Sequence, residues 1–535
     1  MNNQIYYNGE IITMEENLYV DAMFVENGLI KKLGTESEIL SLKNSSTEVI
    51  NLNGSTLIPA FIDAHSHISS FATSLGLIPL SNAKTFDEIV QILKNFKESH
   101  KLTKNDWIIG FGYDNNSLKE NAHPTKEILD KVSLENPILI SNISGHMGVA
   151  NSAALKAIEI TKETTDPEGG KIGRENNSLE PNGYLEENAF IHNTAKIPSP
   201  SLDSILSLLD EAQNIYLSYG ITTVQDGLVN TDSFSQLEEM ANQQKLKIDI
   251  IGYVDLKTSK KLLDNTKFKN KYFNRYKLGG YKIFLDGSPQ GKTAWMSKPY
   301  ENEDRDYCGY PIYLDSEVKD FIKTSLNEHL QLLTHCNGDA AAYQLITCFS
   351  EVYNNGNYSS TNRPVMIHAQ TVRDDELARM KEIQMIPSFF TAHTYYWGDA
   401  HIKNLGKERA FKISPAKTAI KNHLIYTFHQ DTPVIKPNML ETIWCAVNRI
   451  SKNGVVLGEE EKISPLEALK GVTINAAYQY FEEDLKGSLK EGKLADFVIL
   501  DKNPLTINPM DIRNIKVLKT IKEGKVLYSI ESIKK

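Results

Sequence analysis

The chain of 535 residues holds only four cysteines, Cys308, Cys336, Cys348 and Cys445, and none of them belongs to a CxxC pair. No disulfide framework is suggested, and a reducing, intracellular setting fits. No apolar run approaches the roughly 18–20 residues of a membrane span. The opening MNNQIYYNGEIITMEEN has no basic stretch followed by an apolar one, which predicts no secretory signal. The expected location is therefore cytoplasmic, with no membrane partner. Positive charge is not in excess either: 58 Lys and Arg stand against 68 Asp and Glu, a net charge of −10. A nucleic-acid surface, which needs clustered cations, is not expected. Low-complexity tracts and a clear internal repeat are also missing. What is present is ordinary for a globular protein, with 41% apolar and 24% charged residues. The length exceeds the usual single core, so one large domain with additions, or two domains, is expected.

The texture changes along the chain. Residues 1–56 read as all-β: IYYNGEIITM, DAMFVENGLIKKLG and TEVINLNGSTLI are short β-rich runs. Asn8-Gly9, Asn27-Gly28 and Asn53-Gly54 read as tight turns between them. Residues 484–535 share that texture in GSLKEGKLADFVILD and VLKTIKEGKVLYSI, so both ends are expected to build one small β-sandwich. The stretch 57–483 alternates apolar strand candidates with amphipathic helical stretches. The candidates are Leu57–Asp63, Ile221–Gln225, Asp249–Val254, Tyr281–Leu285, Gln331–Thr334, Pro364–Ile367, Met385–Phe390 and Leu424–Phe428. Such alternation implies parallel strands, and eight repeats imply an α/β fold closed as a (β/α)8 TIM-like barrel. About 155 residues separate the first two candidates, so a large insertion, about 80–200, follows strand 1. It carries its own strand candidates, DWIIGFGYD and NPILISNIS. Near the end, Ser464 reads as an N-cap, Pro465 as the first helical residue and Glu467 as the capping-box partner of the helix EALKGVTINAAYQYF.

Chemistry gathers at the ends of the apolar runs. His65 and His67 follow LIPAFID, with Asp63 two residues earlier. Residues two apart on a strand point to the same side, so the two imidazoles could grip one metal ion. Lys282 lies inside a strand, where an unpaired ammonium is costly. His335 ends LQLLTH, His368 ends PVMIH, and Asp431 ends LIYTFHQD. Taken singly, these would be a strand-edge lysine, core histidines and a turn carboxylate. Together they would meet on the face of the barrel where sites are built, and imidazole with carboxylate suits zinc and related divalent metals.

The order HSH, Lys, His, His, Asp resembles the amidohydrolase superfamily of metal-dependent hydrolases, and within it the YtcJ-like (amidohydrolase 3) branch. The phrases that carry the resemblance run from residue 58 to about 501: IPAFIDAHSHI, SGHMGVANSAAL, GYKIFLDGSPQGKTAWMSKPY, THCNGDAA, PVMIHAQTV, SFFTAHTYYWGD, FHQDTPV, VTINAAYQYF and GSLKEGKLADFVILD. One position departs: Ile367 precedes His368 where the family more often carries Glu. The resemblance implies that His65 and His67 bind the more buried metal. It implies that Lys282 is carboxylated to a carbamate derived from CO2 and bridges two metals, and that His335 and His368 bind the second. Asp431 would ligate metal or face the bridging water. One or two divalent ions are implied, zinc foremost.

The expected reaction is hydrolysis of a C–N bond in an amide, N-acyl amine or N-formyl amine. A metal lowers the pKa of bound water toward about 7, and Asp431 takes a proton and passes it to the leaving amine. Alternatives on the same site are a deaminase or a lactone or phosphoester hydrolase, and a non-catalytic regulatory protein. Further candidates for substrate contact are His146 in the insertion, Ser288 and Gln290 in DGSPQGKTAW, and His393 and Trp397 in TAHTYYWGD. The insertion could cover the barrel mouth. GSPQGKT lacks P-loop spacing. His429 is a weaker candidate behind Asp431, and the remaining histidines read as surface or structural. The expected partner is a small-molecule substrate, with no nucleic acid, and a homodimer is the assembly allowed for.

Overall fold

A computed structural model describes residues 3–531, apart from 105, 116, 143–146, 168–169, 195, 198–200, 265, 304–305 and 357–361. Eight parallel strands pair in chain order into one curled sheet. They are β1 (Phe61–Ile62), β2 (Ile221–Val229), β3 (Asp249–Asp255), β4 (Tyr276–Phe284), β5 (Gln331–Cys336), β6 (Val365–His368), β7 (Ile386–Phe389) and β8 (Thr427–Phe428). Their residues are buried on both faces, which is why they read as continuous apolar runs. Just past the strand ends the two edges meet. The Asp431 N–H donates to the His65 carbonyl at 3.2 Å, and the His67 N–H donates to the Thr432 carbonyl at 2.8 Å.

Helices cross between most neighbours. In Asp315–Asn327, between β4 and β5, Val318, Ile322 and Leu326 are buried at helical spacing, while Asp315 and Glu317 favour the positive N-terminal end. Full burial of each such apolar side chain is worth about 1.5–3 kcal/mol. Asp339–Asn355 follows β5, Asp374–Glu382 follows β6, and Gly398–Ala410 follows β7.

Both chain ends enter a second sheet. Its order is Lys525–Ser529, Val517–Lys522, Phe497–Leu500, Thr56–Pro59, Asn3–Ile12, Tyr19–Glu26, Leu29–Gly34, and Thr47–Asn51 also pairs with Asn3–Ile12. Tyr6, Ile11, Met23, Leu57, Phe497 and Ile521 share its core. A buried ionic cluster connects this sheet to the start of β3. Asp249 Oδ2 lies 2.5 Å from Lys486 Nζ and 2.7 Å from Lys522 Nζ, Arg275 reaches Asp249 Oδ1 at 3.2 Å, and Lys522 also binds Asp496 at 2.9 Å.

Residues Ala72–Leu208 form a separate compact unit. Its six-stranded sheet includes Ile108–Tyr113 and Ile138–Asn142, the two runs singled out in sequence. The helix Phe86–Ser99 turns Ile89, Val90 and Leu93 into that unit's core, capped by Thr85.

Three local expectations are corrected. The run Leu57–Asp63 is not one strand: Thr56–Pro59 pairs with Phe497–Leu500, and only Phe61–Ile62 joins β2. Pro59 and Ala60 turn the chain from one sheet to the other. Asn8-Gly9 makes no turn. Asn8 has a φ of 57° inside Asn3–Ile12, where the pairing register shifts, so it forms a bulge. Asn27-Gly28, with φ 53° and 80°, is the hairpin turn expected. The helix opened by the Ser464–Glu467 capping box ends at Gly471, and a second one spans Ile474–Gln479. The break falls where the Val472 carbonyl accepts the Ile62 N–H at 2.9 Å, turning from helix to β1.

Candidate active site

The strand ends bring His65, His67, Lys282, His368 and Asp431 together. His65 Nε2, His67 Nε2 and an Asp431 oxygen are the group among the described residues that could hold a metal ion, their ligand atoms lying within 4.8 Å of one another. Asp431 Oδ1 is 3.2 Å from His67 Nε2 and 3.5 Å from His65 Nε2. His368 Nε2 is 3.9 Å from Asp431 Oδ2, and Lys282 Nζ is 3.2 Å from His65 Nε2. The two histidines of HSH do not converge from a strand as the spacing suggested. They leave β1 first, and His67 bridges to Asp226 at the far part of β2.

His65 is held by Gln225. The Gln225 amide donates from Nε2 to the Ala64 carbonyl at 2.9 Å and to Tyr480 Oη at 3.0 Å. That leaves Oε1 to accept from His65 Nδ1 at 2.5 Å. The proton then sits on Nδ1, and the Nε2 lone pair faces Asp431 and Lys282. Gly227 lies against the same ring: a Cβ there would stand 2.5 Å from His65 Cε1. His368 Nδ1 is 3.1 Å from His429 Nε2, whose Nδ1 is 2.9 Å from Ser388 Oγ.

Burial decides the electrostatics. It pushes His65 and His368 well below the ordinary histidine range and His429 down to about 3, so the imidazoles are neutral and their lone pairs are available. Lys282 is fully buried, which pushes its ammonium down to about 7 against the opposing pull of the Asp431 carboxylate. Burial would raise Asp431, but the hydrogen bond and charge of His67, with His429 and Lys282, hold it below its usual value. Imidazole nitrogens beside an ionised carboxylate are the donor set a divalent metal takes, and this set fits one.

His335 adjoins this group without entering the tight cluster. Its ring centroid is 4.6 Å from that of His368, its Nδ1 is 3.5 Å from Asp286, and its Nε2 is 3.3 Å from Asn337 Nδ2. The Asp286 carboxylate accepts the N–H groups of Trp295, Asn337 and Gly338, which fixes the loop after β4. In that loop the Ser288 hydroxyl accepts the Gly291 N–H at 3.2 Å, as a turn residue does, and the Gln290 side-chain oxygen is buried without a partner among the described residues. His393 and Trp397 follow β7. Their rings lie 4.6 Å apart, and both pack on Phe390, which lies 5.3 Å from His429. His146 falls outside the described residues.

Gln225, Gly227 and Ser388 were not picked out in sequence. The only signal was an amide–carboxylate pair, Gln225-Asp226, inside the β-rich run ITTVQDGLV. Asp226 is buried, accepting from the Ser69 N–H at 3.3 Å and its hydroxyl at 2.9 Å.

Comparison with known proteins agrees with this geometry. The family model described as "Amidohydrolase family" matches residues 48–528. YtcJ of Bacillus subtilis, named as an amidohydrolase, is 28% identical, covering 98% of this chain and 99% of its own. The N-substituted formamide deformylase of Arthrobacter pascens is 26% identical over 99% of this chain and 98% of its own. Among solved structures, an uncharacterised metal-dependent hydrolase of Pyrococcus furiosus superposes with a TM-score of 0.77 at 25% identity, covering 94% of this chain and all of the other. On the match across residues 48–528, with His65, His67, Lys282, His368 and Asp431 gathered at the ends of its parallel strands, this chain belongs to the amidohydrolase family.

Proposed function

We propose that the protein hydrolyses a C–N bond of a small molecule, an amide or an N-acyl or N-formyl amine. The observation that carries this is the convergence of His65, His67 and Asp431 within 4.8 Å, beside a buried lysine. The resemblance to a formamide deformylase favours a C–N bond over the lactone, phosphoester and deamination alternatives.

In this reading His65, His67 and Asp431 hold one divalent ion, zinc foremost, with Lys282, His335 and His368 serving a second. A bound ion of this kind supplies a Lewis acid and a water that ionises near neutral pH. Asp431, held ionised by its neighbours, would be the group that accepts a proton from the attacking water and returns one to the leaving amine. Gln225 keeps the His65 Nε2 lone pair turned inward. Lys282, with an amine partly neutral at pH 7, reacts with CO2 through its nitrogen lone pair; an N–C bond forms, one proton leaves, and a carbamate results. Phe390, His393 and Trp397 wall the substrate on the β7 side. His146, Ser288 and Gln290 stay in this reading as substrate contacts.

The curled sheet is read as a closed barrel within 57–483, since its edges are joined through Asp431 and Thr432. The sheet of the two ends, 1–56 and 484–535, is read as a sandwich, because Asn3–Ile12 divides one edge between Thr47–Asn51 and Thr56–Pro59. Four free thiols support a cytoplasmic location.

The test is purified protein reconstituted with zinc and bicarbonate, analysed for metal and assayed on N-acyl amides, N-formyl amines, lactones, phosphotriesters and aminated bases. Amide or formamide turnover with bound metal is expected. Turnover confined to another class, or no bound divalent ion, would overturn the proposal. Lys282→Ala with full activity and two metals per chain would end the two-metal reading.

A further inference from the structure

His401 stands outside the metal-binding group, on the helix Gly398–Ala410, and is fully buried. Its Nε2 lies 2.9 Å from Nδ1 of His393. The two rings are within 11° of coplanar, with centroids 5.2 Å apart. That separation is what a 2.9 Å contact and the two ring radii add up to when they lie in line. The rings therefore share a plane and meet edge to edge, the geometry of one straight N–H···N bond.

One proton occupies this bond, because both rings are neutral: burial pushes His401 down to about 4 and His393 well below the ordinary histidine range. The proton belongs to one ring or to the other. If His393 donated it, the proton of His401 would have to sit on Nδ1. That atom is buried and has no partner among the described residues. A buried N–H without an acceptor costs about 1–3 kcal/mol, and orphaned donors are rarer in proteins than under-used acceptors. With the proton on His401 Nε2, Nδ1 presents only a lone pair.

We infer that His401 is a positioning residue: by donating Nε2–H to His393 Nδ1 it holds His393 as the Nε2–H tautomer, a fixed hydrogen-bond donor at the substrate wall. The His393 ring packs on Phe390 at 4.7 Å, and Phe390 packs on His429 at 5.3 Å and His368 at 6.1 Å. The donor edge thus lies one aromatic layer from His368, a proposed ligand, and from its hydrogen-bond partner His429. It selects substrates that place an oxygen acceptor, a carbonyl or carboxylate, at this point, and it disfavours those that place an amine there.

That His393 meets substrate rests on the function proposed above; its tautomer does not. The test is nitrogen NMR of zinc-reconstituted protein labelled with 15N-histidine, the His393 signals being identified by their loss in His393→Gln. The expected result is a one-bond proton coupling at His393 Nε2 and none at Nδ1. In His401→Ala the single tautomer should be lost with metal content unchanged, and kcat on an amide should fall about tenfold. His401→Gln, whose amide nitrogen can donate from a similar place, should recover part of that. A proton on His393 Nδ1 in the native protein, or an unchanged tautomer in His401→Ala, overturns the inference. If His401→Ala does not fold, the native spectrum decides. A protein with the expected tautomer but no hydrolysis sinks the proposed reaction and leaves this assignment standing.

Discussion

Asp431 and His65 are joined twice: the Asp431 N–H donates to the His65 carbonyl at 3.2 Å, and Asp431 Oδ1 lies 3.5 Å from His65 Nε2. The backbone bond holds one edge of the parallel sheet to the other, and the side-chain contact brings carboxylate and imidazole together. The curl of the sheet and the assembly of the site are thus the same event, and disturbing the one reaches the other.

Gln225→Leu removes the acceptor of the His65 Nδ1 proton while keeping most of the volume. The ring loses its fixed tautomer, and metal affinity should fall about 10–100-fold. Zinc titration with a competing chelator measures it, with circular dichroism to show an intact fold. Unchanged affinity would mean that Gln225 does not orient His65.

Gly227→Ala places a methyl 2.5 Å from His65 Cε1, closer than such contacts occur. The ring must move, since the neighbouring backbone is tied by the Gly227 N–H to the Ser66 carbonyl at 2.8 Å. Overpacking of this kind costs about 1–3 kcal/mol. Metal occupancy by elemental analysis should drop, and a melting temperature equal to that of the native protein would contradict the crowding.

Acid should loosen the link between β3 and the sheet of the chain ends. Burial alone would raise the Asp249 pKa, but Lys486, Lys522 and Arg275 reverse this and hold it well below the usual carboxylate range. A depressed carboxylate binds fewer protons folded than unfolded. Its contribution is therefore complete above the unfolded value of about 3.9 and is lost as pH falls toward the folded one. The urea midpoint should fall below about pH 4. Asp249→Asn takes from Lys486 and Lys522 one of the two carboxylates that each binds, leaving Glu482 and Asp496 at 2.9 Å, and should cost about 3 kcal/mol at pH 7, with a flatter acid response; equal midpoints at pH 7 would refute it.

Ser464→Ala removes the side chain that accepts the Glu467 N–H at 3.2 Å and binds Glu467 Oε2 at 3.0 Å. Loss of such a cap costs about 1 kcal/mol. Chemical denaturation measures it, and amide turnover should stay within error of native, since this helix end is exposed.

Much of this was readable from the chain. The seven runs overlapping β2–β8 were visible because a parallel strand buried on both faces leaves an apolar block, and the candidate ligands stood out because each interrupts or follows such a block. The break inside Leu57–Ile62 was not visible: apolar residues serve two different sheets there, and composition cannot tell which partner each half meets. The stop at Val472 depends on a bond from Ile62, far away in sequence. Gln225 sits mid-strand, where its polarity hinted at a function without naming His65 as its partner. His429 read as a weak candidate because its role depends on His368 and Ser388, which lie on other strands.

The turn at Pro59 and Ala60 gives the C-terminal strand Phe497–Leu500 a hold on the loop that carries His65 and His67. Phe497–Leu500 is the antiparallel neighbour of Thr56–Pro59, and the Ala60 N–H donates to the Asp496 carbonyl at 3.0 Å. Five residues later the chain reaches His65. A chain not yet extended through Leu500 lacks the strand that sets the register of this segment, so the proposed metal site should form only after that strand has been made.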